Sequence, residues 1–207
     1  MKKILIMVLG LIPLSMWAQD NTWERPEEEQ VKEEEQQKKP AVDAKYLRGA
    51  VPVVDGKVVF SKTIEAPGKS ADQIFSIIKE YMQKMLREKN QLNSMIVVDD
   101  SKTHEIGGRF EEWLVFKKTA IVLDQTRFMY VLDAKCQNGK AELTLSRIQY
   151  LYEEQRNPQR LKAEGWITDD DSVNKKNTKL YPFSGKFRRK TIDRKDFLFN
   201  KIESLLK

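Results

Sequence analysis

The sequence predicts an α+β domain in which one curved antiparallel sheet carries its helices on a single face. Three observations predict it. One long segment repeats apolar residues at helical spacing, several segments alternate apolar and polar residues, and an Asn-Gly pair joins two of the alternating segments. Helices on one face of a single sheet bury both kinds of apolar surface at once. The predicted order is β-α-β-β-β-β-α, with a surface excursion before the last helix.

The first nineteen residues have the layout of a secretory signal peptide. Lys2 and Lys3 give a positive start, an apolar run follows over 4–17, and Ala18 is a small residue at a cleavage point. The run contains Pro13 and is too short for a helix that crosses a bilayer core of about 30 Å, so no transmembrane segment is predicted. The alternative is an ordinary N-terminal helix or a retained anchor. No cysteine stands directly after the run, so we expect export to the periplasm or beyond without a lipid anchor.

An acidic, Gln-rich segment follows over residues 20–40, with eight acidic and four basic side chains. It has too little apolar surface to offset the entropy of ordering, so it is interpreted as a flexible linker. With the short apolar approach that contains Pro52, this linker extends to residue 54. A single domain is predicted over 55–207.

The first strand and the first helix adjoin each other. Residues 57–65 alternate, which predicts a strand with Val58, Phe60 and Ile64 on one face. Ser70 followed by Gln73 predicts a capping box at the start of the helix. The helical stripe repeats at spacings of three and one over five turns, and comprises Ile74, Ile77, Ile78, Tyr81, Met82, Met85 and Leu86.

Strands fill the middle of the chain. Residues 95–98 and 104–116 are predicted strands, and Gly107-Gly108 indicates a bulge or bend in the second. Adjacent strand residues point to opposite faces, so Glu111 and Glu112 cannot act together as a paired acid and base.

The clearest turn signal is Asn138-Gly139, which is typical of a two-residue hairpin loop. It predicts that residues 127–136 pair with the strand that runs to about 152. The predicted register sets apolar side chains opposite each other: Cys136 with Ala141, Ala134 with Leu143, and Leu132 with Leu145.

In the last third of the chain, apolar residues recur with no sustained helical or strand spacing until the C-terminal segment. Residues 153–191 are interpreted as a surface excursion, and a C-terminal helix is predicted over 192–207 with Asp193 as its N-cap. The apolar stripe of that helix is Leu198, Ile202, Leu205 and Leu206.

Two short segments carry a resemblance to a known family. Residues 56–62 (GKVVFSK) and 65–70 (EAPGKS, at the strand-to-helix junction) resemble the exported bacterial family known as domain of unknown function 4468. The resemblance covers residues 56–152 and implies a TATA-binding-protein-like, helix-grip-like fold. The family has no assigned activity, so the resemblance implies no catalytic residues.

Few residues are available for metal or cofactor chemistry. His104 and Cys136 are the single histidine and cysteine, so they cannot build a His/Cys metal cluster. Asp169–Asp171 lacks the spacing of a calcium loop and is interpreted as a charged loop. No phosphate-binding or dinucleotide motif is present. We therefore predict no catalytic residue, metal or cofactor.

The enzymatic alternative is a hydrolase that uses His104 with a neighbouring carboxylate, Glu105 or Glu111. A thiol pair of Cys136 with His104 is a second possibility. Against both, the alternation places Cys136 on the apolar side of a hairpin as a small inert side chain, and a solvent-facing His104 is expected.

Aromatic residues on the sheet favour a binding function. Trp113, Tyr130 and Tyr150 are the candidate ligand-binding residues, in a cleft for an apolar or sugar-like ligand. For the rings themselves, filling of the core is the favoured interpretation over such a cleft, and docking of another protein on the uncovered face of the sheet is a further alternative. The favoured interpretation is a non-enzymatic envelope protein that binds a ligand or partner through its sheet.

The basic cluster near the C-terminus suggests a contact with an anionic surface. It comprises Lys186, Arg188, Arg189 and Lys190. A solvated surface is the favoured interpretation of these charges, and the anionic contact is the alternative. No specific nucleic-acid binding is expected, because fold does not determine function and export argues against a genomic target.

Overall fold

The computed structural model describes residues 42–207, which form one antiparallel sheet of six strands, a separate two-stranded ribbon, three α-helices and two short 3₁₀ helices. The sheet order is β3-β7-β6-β5-β4, with β8 also paired to β7. The elements are β1 (Val53–Val54), β2 (Lys57–Val58), β3 (Phe60–Glu65), α1 (Ala71–Met85), β4 (Met95–Asp100), β5 (Glu105–Lys118), β6 (Leu123–Gln137), β7 (Lys140–Tyr152), β8 (Gln159–Lys162), α2 (Asp169–Ser172) and α3 (Pro182–Leu206). The predicted fold class, an antiparallel sheet with helices on one face, is confirmed.

Helix α1 begins with the predicted capping box. The Gln73 backbone N–H donates to the Ser70 hydroxyl over 3.2 Å, and the Ser70 N–H donates to the Gln73 side chain over 2.9 Å. The predicted stripe faces the sheet, with Ile77 and Leu86 partly buried and the rest buried. Phe75, outside the predicted stripe, is buried as well.

The hairpin of β6 and β7 has the predicted register. Cys136 pairs with Ala141, Ala134 with Leu143, and Leu132 with Leu145. The register shifts between Met129 and Val131, where a bulge accompanies the positive φ of Arg147. Bulges bend a strand and increase its twist, so this one contributes to the curvature of the sheet.

The sheet has two unlike faces. Helices α1 and α3 cover one of them, here called the helix face, whose side chains are almost all buried. On β6 this face carries Phe128, Tyr130, Leu132, Ala134 and Cys136. The residues between them belong to the other face, here called the open face, which no helix of residues 42–207 covers.

The glycine pair of β5 does not interrupt its strand, contrary to the predicted bulge or bend. Gly107 and Gly108 pair with successive residues of β6, Asp133 and Leu132. The irregularity lies instead in the neighbouring strand β4, where the register shifts between Ile96 and Val98. Gly108 makes room for the Phe110 ring, because a Cβ there would lie 2.6 Å from that ring.

The C-terminal helix begins at Pro182, ten residues before the predicted start. Tyr181 is the N-cap and Pro182 occupies the first turn, where a missing N–H has no cost. Asp193, the predicted N-cap, lies within the helix, and its carboxylate accepts hydrogen bonds from Lys45 and Tyr46. The prediction failed because the charged run over 186–190 suggested solvent exposure, whereas Phe187 and Arg188 are buried.

The remaining predicted boundaries also need correction. The excursion over 153–191 contains β8, α2 and the start of α3, and it buries Ile167 and Val173. Residues 42–54, predicted as the end of the linker and its apolar approach segment, pack on the domain through the buried Tyr46 and Val51. The predicted signal peptide and residues 20–41 lie outside the described residues. Within 42–207, no helix is long and apolar enough to cross a membrane.

Candidate binding surface

The open face is a grid of side chains from four neighbouring strands. Its central row carries Arg109, Val131 and Ser146, and the next row carries Glu111, Met129 and Gln149. The methionine and valine at the centre are partly buried by their neighbours, while Arg109 and Gln149 at the sides are exposed. The face therefore has an apolar centre between polar flanks.

A groove of about 510 Å³ lies at one end of the open face, beside Trp113. We call it the Trp113 groove. The turn between β5 and β6 forms one wall and the end of β7 with the following turn forms the other. Its apolar lining is Trp113, Ile121, Val122, Leu123, Leu151 and Tyr152.

The apolar wall of the groove projects into solvent. Val122 donates its N–H to the Thr119 hydroxyl over 3.0 Å, and Thr119 donates its N–H to the Val122 carbonyl over 2.8 Å, which closes the turn. This turn leaves Ile121 93% exposed and Leu123 56% exposed. Three consecutive aliphatic side chains at a turn are an exposed apolar patch, which is typical of an interaction site.

Arg127 is the charged centre beside the groove. Its guanidinium lies 5.6 Å from the centroid of the Trp113 ring and donates twice to Glu154, over 2.7 and 2.6 Å. A third hydrogen bond reaches Glu111 over 3.0 Å, and these carboxylates, Glu111 foremost, raise the pKa of Arg127. The arrangement fixes the arginine and the indole ring as one rigid unit.

At the other end of the open face, the Asp133 carboxylate lies over Gly107. A Cβ on Gly107 would lie 2.2 Å from Asp133 Oδ1, so the carboxylate occupies the space that a side chain would fill. Val98 and Thr144 flank this row on the neighbouring strands. Burial raises the pKa of Asp133. We call this position the Asp133 notch.

Of the three predicted ligand-binding residues, only Trp113 lies on the open face. Tyr130 and Tyr150 are each 1% exposed and lie on the helix face, where the Tyr150 ring stacks on Phe128 and the Tyr130 ring packs against it at a tilt. The Tyr150 hydroxyl forms a 2.7 Å hydrogen bond with Thr191 of α3. These two tyrosines therefore fill the core, which was the favoured interpretation of the sheet aromatics.

A fully buried ion pair lies on the helix face and was not predicted. Arg194 of α3 donates to both oxygens of Glu112, over 2.8 and 2.7 Å, and both side chains are 0% exposed. Asn90 and Gln91 also donate to Glu112. Glu88 lies 3.7 Å from Arg194, and burial raises its pKa. The signal was Glu112 itself, a carboxylate on the apolar side of an alternating strand.

His104 has neither carboxylate partner of the hydrolase prediction. Its Nε2 lies 2.8 Å from Asp72 of α1, whereas Glu105 pairs with Lys135 and Glu111 with Arg127. The imidazole is one-quarter exposed, so it is not the fully solvent-facing side chain expected. Within residues 42–207 no hydroxyl group hydrogen-bonds to this imidazole, so a serine- or threonine-based relay is not assembled.

Cys136 is a buried thiol. Its backbone N–H donates to the His104 carbonyl over 2.9 Å, and its residue is 4% exposed. Burial raises the pKa of the thiol to about 11, so the neutral form dominates at physiological pH. This agrees with the expected role of an inert core side chain.

The basic cluster is largely engaged within the domain. Arg188 is 0% exposed and donates to the carbonyls of Tyr46, Leu47 and Ile167 and to Asp169. Lys186 donates to Asp124 over 2.7 Å. The predicted contact with an anionic surface is therefore wrong for Arg188, whose guanidinium instead fastens residues 46–47 to the domain.

The acidic residues at the start of α2 also help to fasten the segment around residues 46–49 to the domain. Asp169 also accepts from the backbone N–H of Gly49, and Asp170 pairs with Arg48 over 3.1 Å. Among residues 42–207, no group of three or more His, Cys, Asp or Glu side chains is arranged to hold a metal ion.

Similar proteins agree with this fold. Residues 60–151 match a family model described as a domain of unknown function (DUF4468) with TBP-like fold. The crystal structure of a DUF4468 family protein from Bacteroides ovatus is 40% identical, with a TM-score of 0.74 over 79% of this chain and 94% of that one. A TBP-like protein from Parabacteroides distasonis is 20% identical, with a TM-score of 0.62 over 75% and 96%. No curated protein matches. The chain belongs to the DUF4468 family and has its TBP-like fold.

Proposed function

We propose that the protein is a non-enzymatic binding module of the cell envelope, which binds another protein through the open face of its sheet. One observation carries the proposal. Residues 42–207 leave one whole sheet face uncovered, and that face ends in a groove of about 510 Å³ beside Trp113.

The chemistry of the open face supports a protein as the partner. Protein interfaces combine an apolar centre with a polar rim, and tryptophan and arginine are enriched among the residues that dominate binding. Trp113 and Arg127 meet that description, with Met129 and Val131 as the apolar centre. Small-molecule sites instead enclose most of the ligand surface, whereas this groove opens onto a broad face.

An enzymatic function has weaker support. The imidazole of His104 is hydrogen-bonded to Asp72, and that carboxylate is 82% exposed. Of the two carboxylates considered for the hydrolase, Glu105 is paired with Lys135 and Glu111 is bound to Arg127. A hydrolase would need a positioned nucleophile or water at His104, and His104→Ala would then abolish turnover. We expect this variant to bind peptides like the wild type.

A peptide array tests the binding function. We expect seven-residue peptides with apolar side chains to bind the full chain, and Trp113→Ala to weaken that binding at least tenfold. Phe183→Ser is the matched control, because Phe183 is 72% exposed on α3, which packs on the helix face. Equal binding by wild type and Trp113→Ala, with both variants folded by circular dichroism, would contradict the proposal.

The envelope location rests on residues 1–19 and is tested separately. We expect the mature protein, expressed from the full chain in a Gram-negative bacterium, to occur in the periplasmic or secreted fraction with an N-terminus near residue 19 or 20. An uncleaved chain in the cytoplasm would exclude export, whatever the peptide array shows.

A further inference from the structure

The Asp133 carboxylate is a charged group without a close partner. It forms no hydrogen bond and no ion pair with any other residue in 42–207, although Arg147 and Lys135 act on it from a distance. Lys135 is itself paired with Glu105 over 3.0 Å. The carboxylate therefore relies on water for solvation at the open side of its notch.

Covering this notch has a consequence for any partner. A protein that docks on the open face removes the remaining water from Asp133, and a buried carboxylate without a cation is strongly unfavourable. A lysine or arginine on the partner would replace that water with a charge-assisted hydrogen bond. Charge complementarity thus selects a cationic side chain at this position.

The spacing between the notch and the groove limits the shape of the partner. Gly107, beneath Asp133, and Trp113 are six residues apart on the same strand, which corresponds to about 20 Å. A fully extended segment covers that distance in six residues. Because side chains alternate along an extended chain, the first and seventh residues point to the same side, as the two sites require.

We infer that the partner presents an extended segment with two anchors, an apolar side chain for the Trp113 groove and a lysine or arginine for the Asp133 notch. The residues between the anchors that face the sheet meet Met129 and Val131, so they are apolar too. This inference rests on the proposed function and names the chemistry of the partner.

Two synthetic peptides test it on the full-length mature chain. Each has seven residues, with leucine first, valine third and fifth, and serine at the even positions; one ends in lysine and the other in glutamate. By isothermal titration, we expect the lysine peptide to bind the wild type about tenfold more tightly than the glutamate peptide. Asp133→Asn should abolish that difference without changing the affinity for the leucine anchor.

Glu142→Gln is the matched control, because Glu142 is an exposed carboxylate on the same face in the next row. If it abolishes the difference as fully as Asp133→Asn, the preference arises from the general field of the face and the inference is wrong. Equal affinity of both peptides for the wild type also overturns the inference. If Trp113→Ala then binds neither peptide, the proposed function still stands. If neither peptide binds at millimolar concentration, the two-anchor segment is excluded and the peptide array alone decides the proposed function.

Discussion

On the helix face of β6, Phe128 lies with its ring centroid 4.8 Å from that of Tyr130 and 5.6 Å from that of Tyr150. On the open face of the same strand, Met129 and Val131 are partly exposed. Because successive side chains of a strand point to opposite faces, adjacent residues of β6 lie on different sides of the sheet. One surface of the sheet can therefore hold the fold while the other is free to bind.

The same division holds for charge. Arg194 and Glu112 of the helix face neutralise each other without contact to solvent, with Asn90 and Gln91 as further donors. On the open face, Arg127 and Glu154 are each about one-third exposed. The buried charges of the helix face are fixed by the fold. The charges of the open face can exchange their contacts with water for contacts with a partner.

The largest expected difference between the faces comes from neighbouring substitutions on β6. We expect Phe128→Ala to lower the free energy of unfolding by about 3–5 kcal/mol, because it leaves a cavity in a packed aromatic core. Met129→Ala should cost less than about 1 kcal/mol. Urea denaturation of both variants measures this contrast, and similar losses would show that the open face is also packed.

Breaking the buried ion pair should have a comparable effect. Arg194→Met leaves Glu112 buried and unneutralised, which is expected to cost about 3–5 kcal/mol by thermal or urea denaturation. The double variant Arg194→Met with Glu112→Leu removes both charges and should recover most of the loss. A single variant as stable as the wild type would mean that water reaches Glu112.

The adjacent glycines of β5 offer a third contrast. Gly108→Ala forces a methyl group against the buried Phe110 ring, and overpacking of this kind costs about 1–3 kcal/mol. Gly107→Ala clashes only with the end of the Asp133 side chain, which can rotate towards solvent, and makes an ordinary contact with Val98, so its cost should be below about 1 kcal/mol. If denaturation experiments show that Gly107→Ala costs more stability than Gly108→Ala, the two glycines do not lie on the faces described above.

The smallest effect concerns Glu88 and depends on pH. Burial raises its pKa in the folded state, so the unfolded chain releases this proton at lower pH than the folded chain. The wild type is therefore penalised increasingly as the pH rises from the unfolded pKa, about 4.3, to the folded value. We expect Glu88→Gln to be more stable than the wild type at pH 7, by less than the effect of Arg194→Met.

At pH 4 that advantage should largely vanish, because the wild-type side chain is then mostly protonated in both states. Glu203→Gln is the opposite control, because Lys62 and Lys207 lower the pKa of Glu203 in the folded state. An advantage of Glu88→Gln that is the same at pH 4 and pH 7 would rule out ionisation as its cause.

Elements with local signals were predictable from the sequence. The capping box of Ser70 and Gln73 marks the start of α1, and Asn138-Gly139 sets the register of the β6–β7 hairpin, because both depend on residues close together in the chain. Alternation along β5 also separated Glu111 from Glu112 correctly.

Features that depend on distant partners were not predictable. Arg188 looked like a surface charge because its partners include the backbone of Tyr46, 142 residues away in sequence. The early start of α3 was missed for the same reason. In the candidate site, alternation could not distinguish the buried Tyr130 from the partly exposed Trp113, since that choice depends on which face the helices cover.

Methyl-resolved NMR of the full chain, titrated with the lysine peptide, tests the division between the two faces most directly. We expect shifts of the Met129, Val131 and Leu151 methyl resonances, with those of Leu132 and Leu143 unchanged. Shifts centred on Leu132 and Leu143, with Met129 and Val131 unaffected, would contradict it.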